Sequence, residues 1–157
     1  MKVTSFLCVE SAVIDKTTNR LSLFHVLEQI NAASFPVPCP KFSVVTVVSR
    51  NLNEPNKEEL EVRLSLNRKH IVSMPISIDF QKGKLSRFIG ELQGLVLPGP
   101  GILRASLRHN NRTVNTWDIE ILATGKPPEL VALEANQAAY KPKRAKAANK
   151  PKNNRKD

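Results

Sequence analysis

The sequence predicts an all-β chain: an antiparallel β-sandwich of about eight strands, then a short C-terminal helix and a disordered basic tail. Three observations predict it. Apolar residues recur at every second position through most of the first 122 residues, the period of a strand with one buried face. Asn, Gly and Pro punctuate that pattern at the spacing of sandwich turns. Beyond Tyr140 the apolar pattern stops and positive charge accumulates.

The elements follow in order. Residues 3–14 and 21–30 read as strands joined by the polar turn Asp15 to Asn19. Phe42 to Val48, FSVVTVV, is β-branched and apolar on both sides, as a central strand is. Residues 60–66 place Leu60, Val62, Leu64 and Leu66 inward, with Glu61, Arg63 and Ser65 outward. In 72–78, Val72, Met74, Ile76 and Ile78 share a face; Pro75 on the other cannot donate to a ladder and marks an edge strand. One or two strands belong between Lys84 and Leu97, where Gly90 and Gly94 mark a bulge or bend. Residues 103–109 and 113–121 complete the set, with Leu103, Ala105, Leu107, Trp117, Ile119 and Ile121 inward.

Parity then constrains two hairpins. If the inward sets share one face, 105 opposes 117 and 107 opposes 115, which sets Arg104 across from Asp118 and leaves the three-residue loop Asn110-Asn111-Arg112. Leu66 opposite Val72 likewise leaves a three-residue loop at Arg68-Lys69-His70.

Three segments result. Residues 1–125 form the sandwich. Residues 126–140 form a short helix or linker: ELVALEANQAA follows Pro127-Pro128, carries Glu129 at the helix's positive end, and offers Leu130, Val131 and Leu133 for packing. Residues 141–157 are the tail. They hold Lys141, Lys143, Arg144, Lys146, Lys150, Lys152, Arg155 and Lys156 against Asp157 alone, so +7 of the formal +10 resides there. The tail has no Val, Ile, Leu or aromatic residue and cannot bury enough apolar area to offset its ordering entropy.

That charge partition gives the main functional expectation. Eight cations interleaved with Pro, Ala and Asn suit phosphate contacts, which release condensed counterions and are sequence-blind and salt-dependent. No aromatic residue interleaves them, so base stacking by the tail is not expected. The expected partner is a polyanion, nucleic acid first. In this reading the strands are a platform and any specific partner is met by loops such as 31–41, 51–58 and 98–101; the alternative is a structural or assembly protein that associates through a sheet edge other than the one bearing Pro75.

Other chemistries find less support. No window approaches 18 uninterrupted apolar residues, so no membrane span is expected. Thr4, Ser5 and Glu10 interrupt any leader-like apolar run, so a cytoplasmic location is the expectation. Cys8 and Cys39 form no Cys-x-x-Cys pair and read as buried, reduced hydrophobes, with a disulfide between them left open. His25, His70 and His109 stand apart, so no metal site and no cofactor are expected. His25 shares a face with Leu21, Leu23 and Leu27 and reads as a buried imidazole. No Gly-x-Ser-x-Gly occurs, and Cys39, within Pro36-Val37-Pro38-Cys39-Pro40, lacks neighbouring N–H groups for an oxyanion hole. Leu97-Pro98-Gly99-Pro100-Gly101 lacks the ending of a phosphate-binding loop and reads as a rigid turn. No catalytic residue is assigned, and a non-enzymatic module is expected; a hydrolytic or small-ligand site would need a pocket lined by His25, Cys8 or Asp79.

Three stretches carry a resemblance: FLCVESAVIDKTTNRLSLFHVLEQINAASFP, FSVVTVVSR and LQGLVLPGPGILRASLRHNNRTV. With a Cys-containing first strand, a polar turn, a second strand of the kind RLSLFHVLEQI, a Phe-Pro turn and a late Gly-rich turn before the last hairpin, the chain resembles a family of small bacterial domains of unknown function. The resemblance covers residues 3–122, implies a compact β-sandwich, implies no activity, and leaves the basic tail outside it.

Overall fold

The alternation becomes eleven strands in the computed structural model, which describes residues 1–81 and 83–125. They are β1 (Lys2–Ile14), β2 (Leu21–Val26), β3 (Gln29–Ala32), β4 (Val37–Pro38), β5 (Phe42–Ser49), β6 (Lys57–Leu66), β7 (Lys69–Asp79), β8 (Leu85–Leu92), β9 (Val96–Leu97), β10 (Gly101–His109) and β11 (Arg112–Ala123). No helix occurs among the described residues. The helix expected in 126–140 and the tail 141–157 lie outside them.

A four-stranded sheet runs β2-β1-β5-β8 and a five-stranded sheet β3-β11-β10-β6-β7; β4 and β9 form a small ribbon. The two larger sheets share one core. Phe6, Cys8, Phe42, Val44 and Val48 come from the first; Leu60, Val62, Leu64, Ile76, Ile78, Leu103, Ala105, Leu107, Ile119 and Ile121 come from the second. Those of the second sheet are inward residues the period of two selects, and β5 is central while β7, with Pro75, is an edge.

Several expectations need correction. The expected strand 21–30 is two strands in different sheets. Leu27 N–H donates to Cys8 O, whereas Glu120 N–H donates to Glu28 O, so the chain leaves one sheet and enters the other between consecutive residues. The indole of Trp117 fixes this crossing, its Nε1–H donating to Leu27 O at 2.7 Å. Because β3 arrives by crossing between sheets, no hairpin dictates its direction, and it pairs parallel to β11. The fold is therefore mixed rather than wholly antiparallel, with this one parallel pair among the described strands.

The two hairpins keep the expected parity but not the expected loops. Leu107 opposes Asn115, Ala105 opposes Trp117 and Arg104 opposes Asp118 as anticipated; the register then shifts, Arg108 meets Thr113, and the loop is Asn110-Asn111. In β6–β7, Leu64 rather than Leu66 opposes Val72, Ser65 meets His70, and the loop is Asn67-Arg68. In each case a β-bulge absorbs one residue. All four loop residues have φ between +48° and +70°, as two-residue hairpin turns matching the sheet twist require.

Gly90 marks no bulge, since β5 and β8 pair without interruption. A Cβ at Gly90 would lie 2.6 Å from both Met74 Cε and Phe88 Cε1, so glycine here permits close packing between the sheets. Arg50 is a buried cation that the sequence did not flag. Its Nε donates to Gly83 O and its Nη1 to Glu54 O, while its guanidinium lies 5.3 Å from the Phe80 ring centroid.

Candidate functional site

The eight cations Lys141, Lys143, Arg144, Lys146, Lys150, Lys152, Arg155 and Lys156 lie outside the described residues. What the folded body presents begins with the β6–β7 turn. Asn67 adopts φ +49° and Arg68 +70°, which turns the Asn67 side chain toward the segment entering β10. Its Nδ2 donates to Pro100 O at 2.9 Å, and its Oδ1 accepts from Ile102 N at 3.0 Å. Gly101 passes beneath this amide at φ +140°, where a side chain is both strained and obstructed. The stiff turn read at Leu97 to Gly101 is thus clamped to a second turn 33 residues earlier in sequence.

This clamp borders an open groove of about 720 Å³ lined by Ser65, Asn67, Arg68, Ile102 and Arg104. Two of the lining groups are cations. Asp118 holds Arg104 through Nε and Nη2, both at 2.7 Å, leaving Nη1 free of that pair. The bidentate hydrogen bonds from Arg104 hold the Asp118 carboxyl below its usual range, and the same pair raises Arg104 further. Arg68 is exposed and has no carboxylate within ion-pair distance among the described residues. The Arg104–Asp118 pairing was legible from parity. Asn67 and Gly101 were missed as a unit; the only signal was an asparagine at a turn, since Asn tolerates the left-handed region.

A second feature is the hairpin of β1 and β2. β1 pairs with β5 only from Lys2 to Val9, so Ser11–Ile14 pair with β2 alone. The ribbon is consequently exposed on both faces. Val13, Ile14, Leu23, Phe24 and Val26 are each 37–51% exposed, and β2 is a free edge of its sheet. His25 belongs to this ribbon. It is not the buried imidazole expected: φ +52° turns it outward, and its Nδ1 lies 2.7 Å from Glu10 Oε2 at the surface. A left-handed residue breaks the alternation that would have placed the ring inside.

The residues named for a hydrolytic or small-ligand pocket do not come together. Cys8 is fully buried in the core, His25 is on the exposed ribbon, and Asp79 sits at the end of β7, where it accepts from Gln81 N. His109 pairs with Glu58 at 2.9 Å, half-buried between β10 and β6. Among the described residues, no group of three or more His, Cys, Asp or Glu is arranged to hold a metal ion.

Cys8 and Cys39 are free and buried in one core, so the disulfide left open by the sequence is not formed. Burial, with Cys39 close by, pushes the Cys8 thiol up to about 12, and burial pushes Cys39 to about 11. Both are therefore protonated and unreactive near neutrality. The folded state holds these protons more tightly than the unfolded chain does. The resulting stability is fully present below a pH of about 9 and is lost as pH rises through 11 to 12. Urea midpoints are thus expected to fall more between pH 8.5 and 11 in the native chain than in a Cys8→Val variant; equal falls contradict this account.

No helix among the described residues is long and apolar enough to cross a membrane. No functionally curated protein matches the chain. A solved structure, a β-glucosidase from Listeria innocua in complex with glucose, is similar at a TM-score of 0.44 and 12% identity, covering 74% of this chain and 16% of that one. The chain thus spans about a sixth of that enzyme's length. A family model, by contrast, matches residues 4–122, nearly the stretch that carried the resemblance in sequence, and the chain belongs to that family of unknown function, DUF6941.

Proposed function

We propose that this protein is a non-catalytic, cytoplasmic binding module whose basic tail contacts a polyanion, nucleic acid foremost, while the β body serves as a stable platform. The observation that carries the reading is the charge partition: +7 in residues 141–157 against +3 in the preceding 140. Phosphate contacts made by such a segment are non-specific, and their strength follows the number of cations engaged. Replacing all eight tail cations by glutamine in the full chain is expected to weaken binding to a labelled single-stranded oligonucleotide by at least about a hundredfold at 0.1 M salt. Unchanged affinity removes the tail from the account.

The β1–β2 ribbon favours a second reading, assembly through a sheet edge. An apolar edge without Pro or Lys is the kind that natural sheets otherwise protect. β7, by contrast, carries Pro75. Under this reading the full chain sediments as an oligomer and Phe24→Lys returns it to monomer; a monomeric native chain at tens of micromolar excludes it.

A further inference from the structure

We propose that the groove between the β6–β7 turn and β10 is a phosphate-binding subsite, which holds the backbone of a single-stranded nucleic acid against the folded body. The inference rests on the polyanion reading and adds to it a site that does not belong to the tail.

Three grooves on the described body differ in charge. The one of about 250 Å³ is lined by Glu59 and Glu61 together with Arg108, and the one of about 400 Å³ by Asp79 together with Arg87. The first sets two carboxylates and the second one carboxylate beside a single cation, so neither lining carries an excess of positive charge. The groove of about 720 Å³ has two arginines and no carboxylate in its lining. Asp118 accepts from Nε and Nη2 of Arg104, Glu120 stands across the strand pair from Ile102, and among the described residues Arg68 has no carboxylate within ion-pair distance. Its volume lies within the usual range for small-ligand sites.

The geometry is also held in advance. Two 2.7 Å hydrogen bonds donated to Asp118 fix the plane of the Arg104 guanidinium, so its remaining Nη1 does not lose rotational freedom on meeting an oxyanion. Arg68 projects from a turn whose neighbour, Asn67, is clamped to Pro100 and Ile102. The Ser65 hydroxyl supplies a neutral donor, and Ile102, 40% exposed, gives an apolar surface for a sugar or base edge. Single-strand binding grooves combine cations along the backbone with aromatic stacking surfaces; this lining supplies the cations without an aromatic, so phosphate contacts rather than stacking carry the proposed binding.

The test uses the full chain, an oligodeoxythymidylate probe and two matched variants. Arg68→Gln removes the unpaired groove cation. Arg112→Gln removes an equally exposed cation at the opposite end of β10, outside the groove. Arg68→Gln is expected to weaken binding about fivefold at 0.1 M salt and to reduce the salt slope by about 0.7. Arg112→Gln should change neither. Equal losses in the two variants, or none in Arg68→Gln, overturn the subsite. The same pair in the chain with a glutamine-substituted tail separates the two readings. Residual binding that depends on Arg68 supports the groove whatever the tail contributes. No residual binding overturns the groove and leaves the tail reading standing, whereas binding equal to that of the native chain removes the tail and leaves the groove to be judged on Arg68.

Discussion

Leu103→Ala is expected to cost about 3–4 kcal/mol of unfolding free energy, within the range for emptying a well-packed core position. Leu103 is fully buried in β10. It opposes Ile119 on one side and Leu66 on the other, so its side chain is flanked in its own sheet and meets the opposite sheet across the core. Neighbours held in two hydrogen-bonded ladders cannot collapse readily into the space, and the cavity term adds to the lost transfer energy. Urea unfolding of the variant should show a lower midpoint with an unchanged slope. Thr116→Ala, exposed on β11, should stay within about 0.5 kcal/mol of the native chain. A Leu103→Ala loss no larger than that of Thr116→Ala contradicts a two-sheet core.

Gly101→Ala is expected to cost about 3–5 kcal/mol although it adds only a methyl group. At φ +140° an L-residue carries backbone strain of about 1–3 kcal/mol. The added Cβ would also collide with the Asn67 amide, which must then give up its bonds to Pro100 O and Ile102 N, each contributing about 1 kcal/mol. The collision implies coupling. Asn67→Ala alone should cost less, and the double variant should cost less than the sum of the singles, because removing the amide removes the obstruction. Strict additivity in this cycle contradicts the clamp. The same substitution should weaken oligonucleotide binding if the clamp positions Arg68.

These two positions show how far the sequence could be read. Leu103 was legible because a strand's faces alternate strictly, so inward membership follows from parity alone. Arg104 opposite Asp118 was legible for the same reason. The turn lengths were not, because a bulge adds one residue without disturbing the pattern of inward side chains; Val114 and Ile71 sit at such shifts. The division at Leu27 was missed because no Gly or Pro marks it; the one local signal was the change of parity between Leu27 and Ile30, across Glu28 and Gln29. Asn67 and Gly101 lie 34 residues apart and meet only through tertiary geometry, which no local pattern encodes. The exposure of the β1–β2 ribbon was hidden too: both of its faces carry apolar residues, such as Leu23 and Phe24, and only the pairing of β1 with β5, ending at Val9, reveals that the ribbon extends past the sheet.

The central claim is that affinity for polyanions resides in charge rather than in sequence readout. Its most direct test is the slope of log affinity against log salt for the full chain on a single-stranded oligonucleotide. Eight tail cations contributing about 0.7 each predict a slope near −6, equal for homopolymer and mixed sequences of one length. A slope no steeper than about −1, or affinity that changes with base sequence at constant length, contradicts it.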